Sequence, residues 1–105
     1  MTVEYIRYKV TEEQRQAFID TYKDASKELD ASGFCVAYEL TECEEEAGQF
    51  LLRIEWTSTD DHMNGFRKSA LFPAFFKKVK PYFNNIQEMR HYSLTEVTQR
   101  KATTG

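Results

Sequence analysis

Cysteine, histidine and proline are scarce in this 105-residue chain: there are two of each, with only four glycines. Two cysteines with no C-x-x-C spacing and no neighbouring histidine do not make a metal site. Cys35 and Cys43 are eight residues apart in what reads as one strand. That separates their Cα atoms by roughly 26 Å, whereas a disulfide needs them within about 7 Å. Reduced thiols fit a cytosolic protein. There is no excess of positive charge: the formal net charge is −3, which argues against nucleic acid as the main partner, because phosphate binding needs a basic face. No apolar run resembles a signal peptide or approaches a membrane span, so the chain reads as cytoplasmic with no membrane contact. Short-period repeats and low-complexity linkers are lacking as well.

What is abundant is aromatic side chain. Phe, Tyr and Trp make up 14% of the residues, a large apolar supply for a chain whose length suits one domain. The densest stretch is Trp56 to Phe76, WTSTDDHMNGFRKSALFPAFF, which holds the only Trp, one of the two His residues and a group of Phe. Any ligand pocket is expected to be walled by this segment.

Hydrophobic periodicity divides the chain into six elements. Val3 to Val10 alternates as a first strand, with Ile6, Tyr8 and Val10 on one face and Val3, Tyr5, Arg7 and Lys9 on the other. Thr11 and Gln14 fit a capping box that opens a helix. Phe18, Tyr22, Ala25 and Leu29 form the apolar stripe of that helix, and Gly33 is its expected stop. The second strand runs from about Phe34 to Cys43, with Phe34, Val36, Tyr38 and Leu40 on one face. The acidic run Glu42 to Glu46 with Gly48 reads as a solvated hairpin. Gln49 to Trp56 is the third strand, with Phe50, Leu52, Ile54 and Trp56 sharing a face. Ser58 or Thr59 caps a second helical region, Gly65 weakens it, Ser69 caps it afresh, and Phe72, Phe76, Val79 and Phe83 continue the apolar stripe. Pro73 fits a first turn and Pro81 ends or kinks the helix. Ile86 to Val97 is the fourth strand, which gives a domain over residues 1–97 and a polar, flexible tail over 98–105.

The order β-α-β-β-α-β predicts an α+β, ferredoxin-like domain: an antiparallel sheet with both helices on one face. The other face mixes Tyr5, Cys35, Ala37 and Leu51 with Arg7, Glu39, Arg53 and Glu55. That is too apolar for open water and too charged for a dry core, and predicts a homodimer through sheet-to-sheet packing.

With VEYIRYKV, LLRIEWTSTDDH, GFRKSALFPAFF and EMRHY in these places, the chain resembles the antibiotic biosynthesis monooxygenase (ABM) family of dimeric α/β-barrel proteins over about residues 2–97. The resemblance implies the fold and the dimer. For activity it implies a mixed set: oxygenation of quinols or polyketide phenols without metal or flavin, haem opening, or no known substrate. The haem-degrading branch uses an Asn on the first strand, a Trp in the second helix and a His further along it. Here the first strand has no Asn, Phe66 falls where that Trp would be and Phe76 lies near the expected His, so haem degradation is disfavoured. Quinol-type relatives often carry a His near Phe66, and this chain offers His62 one turn earlier.

Cofactor-free oxygenation of a small aromatic molecule by O₂ needs a base, an apolar pocket and a donor for the developing anion. Imidazole titrates near neutrality and can take a phenolic proton. The candidate bases are His62 and His91. Arg67 and Tyr92 are candidates to stabilise charge, and Trp56, Phe66, Phe72 and Phe76 to wall the pocket. No cofactor or metal is expected. Blander roles compete: a surface or capping role for His62, a satisfied hydrogen-bonded or interface role for His91, plain core packing for Trp56 and the Phe cluster, and a surface ion pair for Arg67. The alternatives to an enzyme are a non-catalytic small-molecule-binding or stress-related module with the same pocket and, less favoured, a haem binder.

Overall fold

A computed structural model describes residues 1–102. Four strands form one sheet in the order β2-β3-β1-β4, and every neighbouring pair is antiparallel. The strands are β1 (Thr2–Lys9), β2 (Cys35–Glu42), β3 (Gln49–Trp56) and β4 (Ile86–Ser93). Helix α1 (Arg15–Ala31) joins β1 to β2. A longer connection from β3 to β4 contains a π-helical turn (Asp61–Gly65), a 3₁₀ turn (Phe66–Lys68), α2 (Phe72–Val79) and a second 3₁₀ segment (Lys80–Asn85). The ferredoxin-like α+β expectation holds. The sheet of a single chain is open, however, with β2 and β4 as free edges, and does not by itself close into a barrel.

The core lies between the sheet and the two helices. Ile6 and Tyr8 of β1 and Phe50, Leu52, Ile54 and Trp56 of β3 meet Phe18, Tyr22, Ala25 and Leu29 of α1. The Phe18 ring stands within 5 Å of the Tyr8, Phe50 and Tyr82 rings (4.9, 4.8 and 4.9 Å between centroids). Fully burying one such side chain contributes roughly 1.5–3 kcal/mol. Lys78 of α2 reaches across to Glu28 (2.8 Å) and Asp24 (3.5 Å) of α1, so the two helices are tied outside the core as well.

The expected capping box is present. The Thr11 amide donates to Gln14 Oε1 and the Gln14 amide to Thr11 Oγ1, one turn ahead of the regular helix. Gly33 is not a left-handed stop, because α1 ends at Ser32 in extended backbone and Gly48 alone among the described residues has positive φ. The second strand departs from simple alternation. Cys35 pairs with Trp56 and Ala37 with Glu55, so Val36 is an extra residue in a β-bulge. The bulge turns Cys35 toward the core and leaves Phe34 and Val36 largely exposed, the reverse of the expected faces. In α2 the deepest ring is Phe75, not Phe76. The 3₁₀ segment after Val79 shifts the phase of the stripe and leaves Phe83 half exposed. Strand β4 ends at Ser93 instead of Val97, and residues 94–102 hold no helix or strand. The last three residues of the expected tail, 103–105, lie outside the described residues.

Two glycines have steric reasons. A Cβ on Gly48 (φ 86°) would stand 2.4 Å from the carbonyl oxygen of Val10, a backbone atom that cannot move away. A Cβ on Gly65 would meet the Phe34 ring at 2.8 Å, but that ring is partly exposed and can turn. Gly48→Ala is therefore expected to cost about 1–3 kcal/mol and Gly65→Ala less. Urea unfolding with an unchanged m-value checks the order.

Candidate active site

The connection after β3 aims its side chains back at the sheet. Ser58 caps it, its hydroxyl accepting from the Asp61 amide (2.9 Å). Widening to a π-helical turn follows: the Phe66 amide donates to both Asp61 and His62 carbonyls. Such turns carry one residue more than an α-helical turn. Here the turn sets His62 flat on Trp56, with ring centroids 4.3 Å apart and planes 9° apart. Phe66 packs on the same indole (5.0 Å).

Strand register supplies the other half. Glu4 pairs with Ile54 on one side and His91 on the other, so Glu4 and His91 are cross-strand neighbours on the helix-covered face. Glu4 is 2% exposed. Its Oε1 accepts from the Trp56 indole N–H (3.1 Å) and lies 3.6 Å from His62 Nε2. Its Oε2 lies 3.9 Å from Arg67 Nη2. Arg67 Nε donates to His62 Nε2 (3.2 Å). A guanidinium only donates, so His62 Nε2 must be the acceptor and its proton sits on Nδ1. From there it is donated to His91 Nε2 at 2.7 Å.

Five side chains from three strands and one connection thus form a single polar network in an aromatic setting. The electrostatics follow from burial. Desolvation holds the Glu4 carboxyl above its usual range, partly offset by the Trp56 hydrogen bond and the Arg67 charge. His62 is pushed down from 6.5 to about 3, first by desolvation and then by the charges of Arg67 and His91. His91 is lowered by the same desolvation and by Arg67. Cys35, the one thiol near the core, is raised to about 11, chiefly by burial, and is no nucleophile at neutral pH.

The network borders a cavity of about 90 Å³. Glu4, His62 and Arg67 form its polar end; Phe66, Phe72 and Phe76 wall it, and Tyr8 and Tyr22 also line it. These two tyrosines are hydrogen-bonded to each other. Partly exposed Phe83 and Met89 flank it. Of the residues singled out from sequence, Trp56, His62, Phe66, Arg67, Phe72 and Phe76 all line this cavity. His91 stands behind His62 and touches it. Tyr92 does not join them: it lies on the opposite face of the sheet, edge-on to Tyr5 (5.4 Å) and 46% exposed. Glu4 is the residue that sequence reasoning missed. Its signal was there, because the alternation that places Ile6, Tyr8 and Val10 on one face also places Glu4 on it.

The histidines make stability pH-dependent. A folded-state pKa below the unfolded value means that the unfolded chain binds the extra proton between pH 6.5 and 3, so stability falls as pH drops through that window. His91 acts in the same direction. Glu4, raised, acts in the opposite direction from pH 4.5 upward. Unfolding free energy is expected to fall by about 2 kcal/mol between pH 7 and pH 4.5. A His62→Gln variant should lose most of that slope, as measured by urea unfolding in chelator-containing buffers.

Comparison with known proteins gives the family and the fold. The family described as antibiotic biosynthesis monooxygenase matches residues 1–78. The uncharacterized protein YczJ of Bacillus subtilis (strain 168) is 24% identical over 83 residues, covering 79% of this chain and 87% of YczJ. A Bordetella bronchiseptica protein proposed to be an antibiotic biosynthesis monooxygenase superposes with a TM-score of 0.77 at 22% identity, covering 90% of this chain and 96% of that one. A Deinococcus radiodurans protein proposed to have the same role gives a TM-score of 0.72 at 13% identity, covering 97% and 100%. At those identities the solved structures speak for the fold alone. The match over residues 1–78, most of the chain, decides the family: this protein belongs to the antibiotic biosynthesis monooxygenase family.

Proposed function

We propose that the chain is a cofactor-independent monooxygenase acting on a small phenol or quinol. The observation that carries this reading is a buried carboxylate facing an aromatic cavity, joined through a pair of hydrogen-bonded imidazoles to the sheet edge. Oxygenating a phenol needs its proton removed first. The phenolate then gives an electron to O₂, the two radicals combine at a ring carbon, and loss of water leaves a quinone. One oxygen atom enters the ring and the other leaves as water, so no external reductant is used.

Glu4 is better placed than either histidine to take the proton. Desolvation makes its carboxylate a stronger base, whereas the His62 lone pair is engaged by Arg67. Once Arg67 turns from Nε2 to the developing anion, His62, with that lone pair freed and a proton on Nδ1, can accept from Glu4 and release to His91, so His62 need never carry a charge. His91, at the β4 edge, passes the proton to water. Arg67 stands where a developing anion gains most from a guanidinium, at the mouth of a site with low dielectric.

A second reading, a binding module without turnover, is favoured by the cavity itself. Ligand pockets for drug-sized molecules measure about 300–1,000 Å³, and this one, at about 90 Å³, must widen at Phe83 and Met89 before it takes an aromatic ring. The same size weighs against haem. Oxygen uptake by chelator-treated protein with a panel of reduced quinols and polyphenols separates the two readings. Uptake above the spontaneous rate, lowered about 10²–10⁴-fold in Glu4→Gln and lost in a His62→Ala/His91→Ala double variant, is expected for the enzyme. Rates equal to buffer across the panel would leave the binding module.

The outer face of the sheet supports a homodimer. Arg53 is held by Glu39 (3.3 Å), Glu55 (2.8 Å) and Tyr5 (3.3 Å), and Val36, Leu51 and Tyr92 stand exposed around this charge cluster. A second copy on this face would cover them and complete a barrel from two open sheets. Sedimentation is expected to give twice the 12.4 kDa chain mass, and Leu51→Glu to give monomer with an unchanged far-UV CD spectrum. A monomeric parent protein would refute the pairing.

A further inference from the structure

We infer that Glu4, His62 and His91 form a binding site for a divalent transition metal of the zinc or cobalt kind, in competition with the side chain of Arg67. One ligand atom from each of the three residues lies within 4.8 Å of the other two. A metal held at about 2.0–2.2 Å by nitrogen and oxygen sets its donors roughly 3–3.6 Å apart. Glu4 Oε1 and His62 Nε2 are already 3.6 Å apart, and His62 Nδ1 and His91 Nε2 are 2.7 Å apart. Each imidazole offers a single nitrogen, so with His62 bound through Nε2 the 2.7 Å contact on Nδ1 is not a donor–donor distance, and His91 must shift to close on both partners from within 4.8 Å; it is only partly buried, on an edge strand.

Donor chemistry sets the class of ion. Two imidazoles and one carboxylate suit zinc, cobalt or ferrous iron, and do not suit calcium or magnesium, which prefer oxygen ligands. The Trp56 N–H on Glu4 Oε1 is the kind of supporting contact that orients a ligating carboxylate. With three protein ligands, and with Glu4 and His62 both bordering the cavity, the remaining coordination position faces the space where a substrate would sit.

The cluster already attracts a cation. Arg67 lies 3.2 Å from His62 Nε2, the nitrogen that a metal would take, and 3.9 Å from Glu4 Oε2, the other oxygen of the ligating carboxylate. It comes from a short 3₁₀ turn and its side chain is 32% exposed, so it can swing into solvent and vacate the position. Metal occupancy would consume the lone pairs that the proton path needs. The two uses of the site therefore exclude each other at any moment, and the metal inference stands on the cluster's geometry whether or not the protein oxygenates phenols.

The test is Co²⁺ and Zn²⁺ titration of chelator-treated protein, read by Co²⁺ visible absorption and by calorimetry. One ion per chain is expected, with an absorption free of thiolate charge transfer. Glu4→Gln and His91→Ala should each weaken binding at least tenfold, and Arg67→Met, which removes the competing cation, should tighten it several-fold. Far-UV CD and urea midpoints confirm that each variant is folded. No stoichiometric binding by either the parent or Arg67→Met would overturn the inference. So would binding that Glu4→Gln and His91→Ala leave unchanged, or tighter binding that fails to appear in Arg67→Met. None of these readouts uses oxygen uptake, so the site and the oxygenase reading stand or fall separately.

Discussion

A carboxylate held out of water is the constraint around which the site end of this protein is arranged. Burying an ionisable group without partners is costly enough to unfold a small domain. Glu4 survives at the centre of the sheet because each neighbouring element brings it something. The end of β3 brings the indole N–H of Trp56, and the 3₁₀ turn brings the charge of Arg67. These contacts also explain why the connection between β3 and α2 is irregular. The described residues leave no buried side-chain polar atom without a partner.

The site is not separate from the core. Phe66 meets Phe72 and Phe75 edge-on, at 5.8 and 5.5 Å, and the same ring packs on Trp56. The aromatic residues that hold α2 on the sheet are also wall residues of the cavity. A wider cavity is therefore reached most easily where packing is weakest, at the 3₁₀ segment that carries Phe83 and at the β4 edge that carries Met89. Deeper rings would have to give up contacts on several sides at once.

Much of this was legible in the sequence. Period-two alternation and the four-three-four spacing of Phe18, Tyr22, Ala25 and Leu29 identify the elements, because one face of each must be apolar. Six of the eight residues singled out for the site line the cavity. Two of the misses, the faces of β2 and the stripe after α2, share one cause, which is a local change of period. The bulge at Val36 inserts a residue and reverses the faces of Phe34, Cys35 and Val36. A 3₁₀ segment replaces 3.6 residues per turn by three and moves Phe83 outward. Neither leaves a mark in composition, since bulges and tightened turns are fixed by the packing of distant segments. Glu4 was hidden differently: an acid within a strand reads as solvent-facing unless its alternation is followed strictly. The polar network is a product of register between β1, β3 and β4, which no local pattern states.

The stacking of Trp56 on His62 has an optical consequence. The chain has a single tryptophan, and its indole lies against one ionisable ring while donating to another ionisable group. Indole emission is quenched by a protonated imidazole and shifts in wavelength with the polarity and charge around its N–H. The protein thus carries a fluorophore built into the wall of its own cavity. Proton movement, ligand entry or displacement of Arg67 there will each be written in the emission of a label that nobody has to attach.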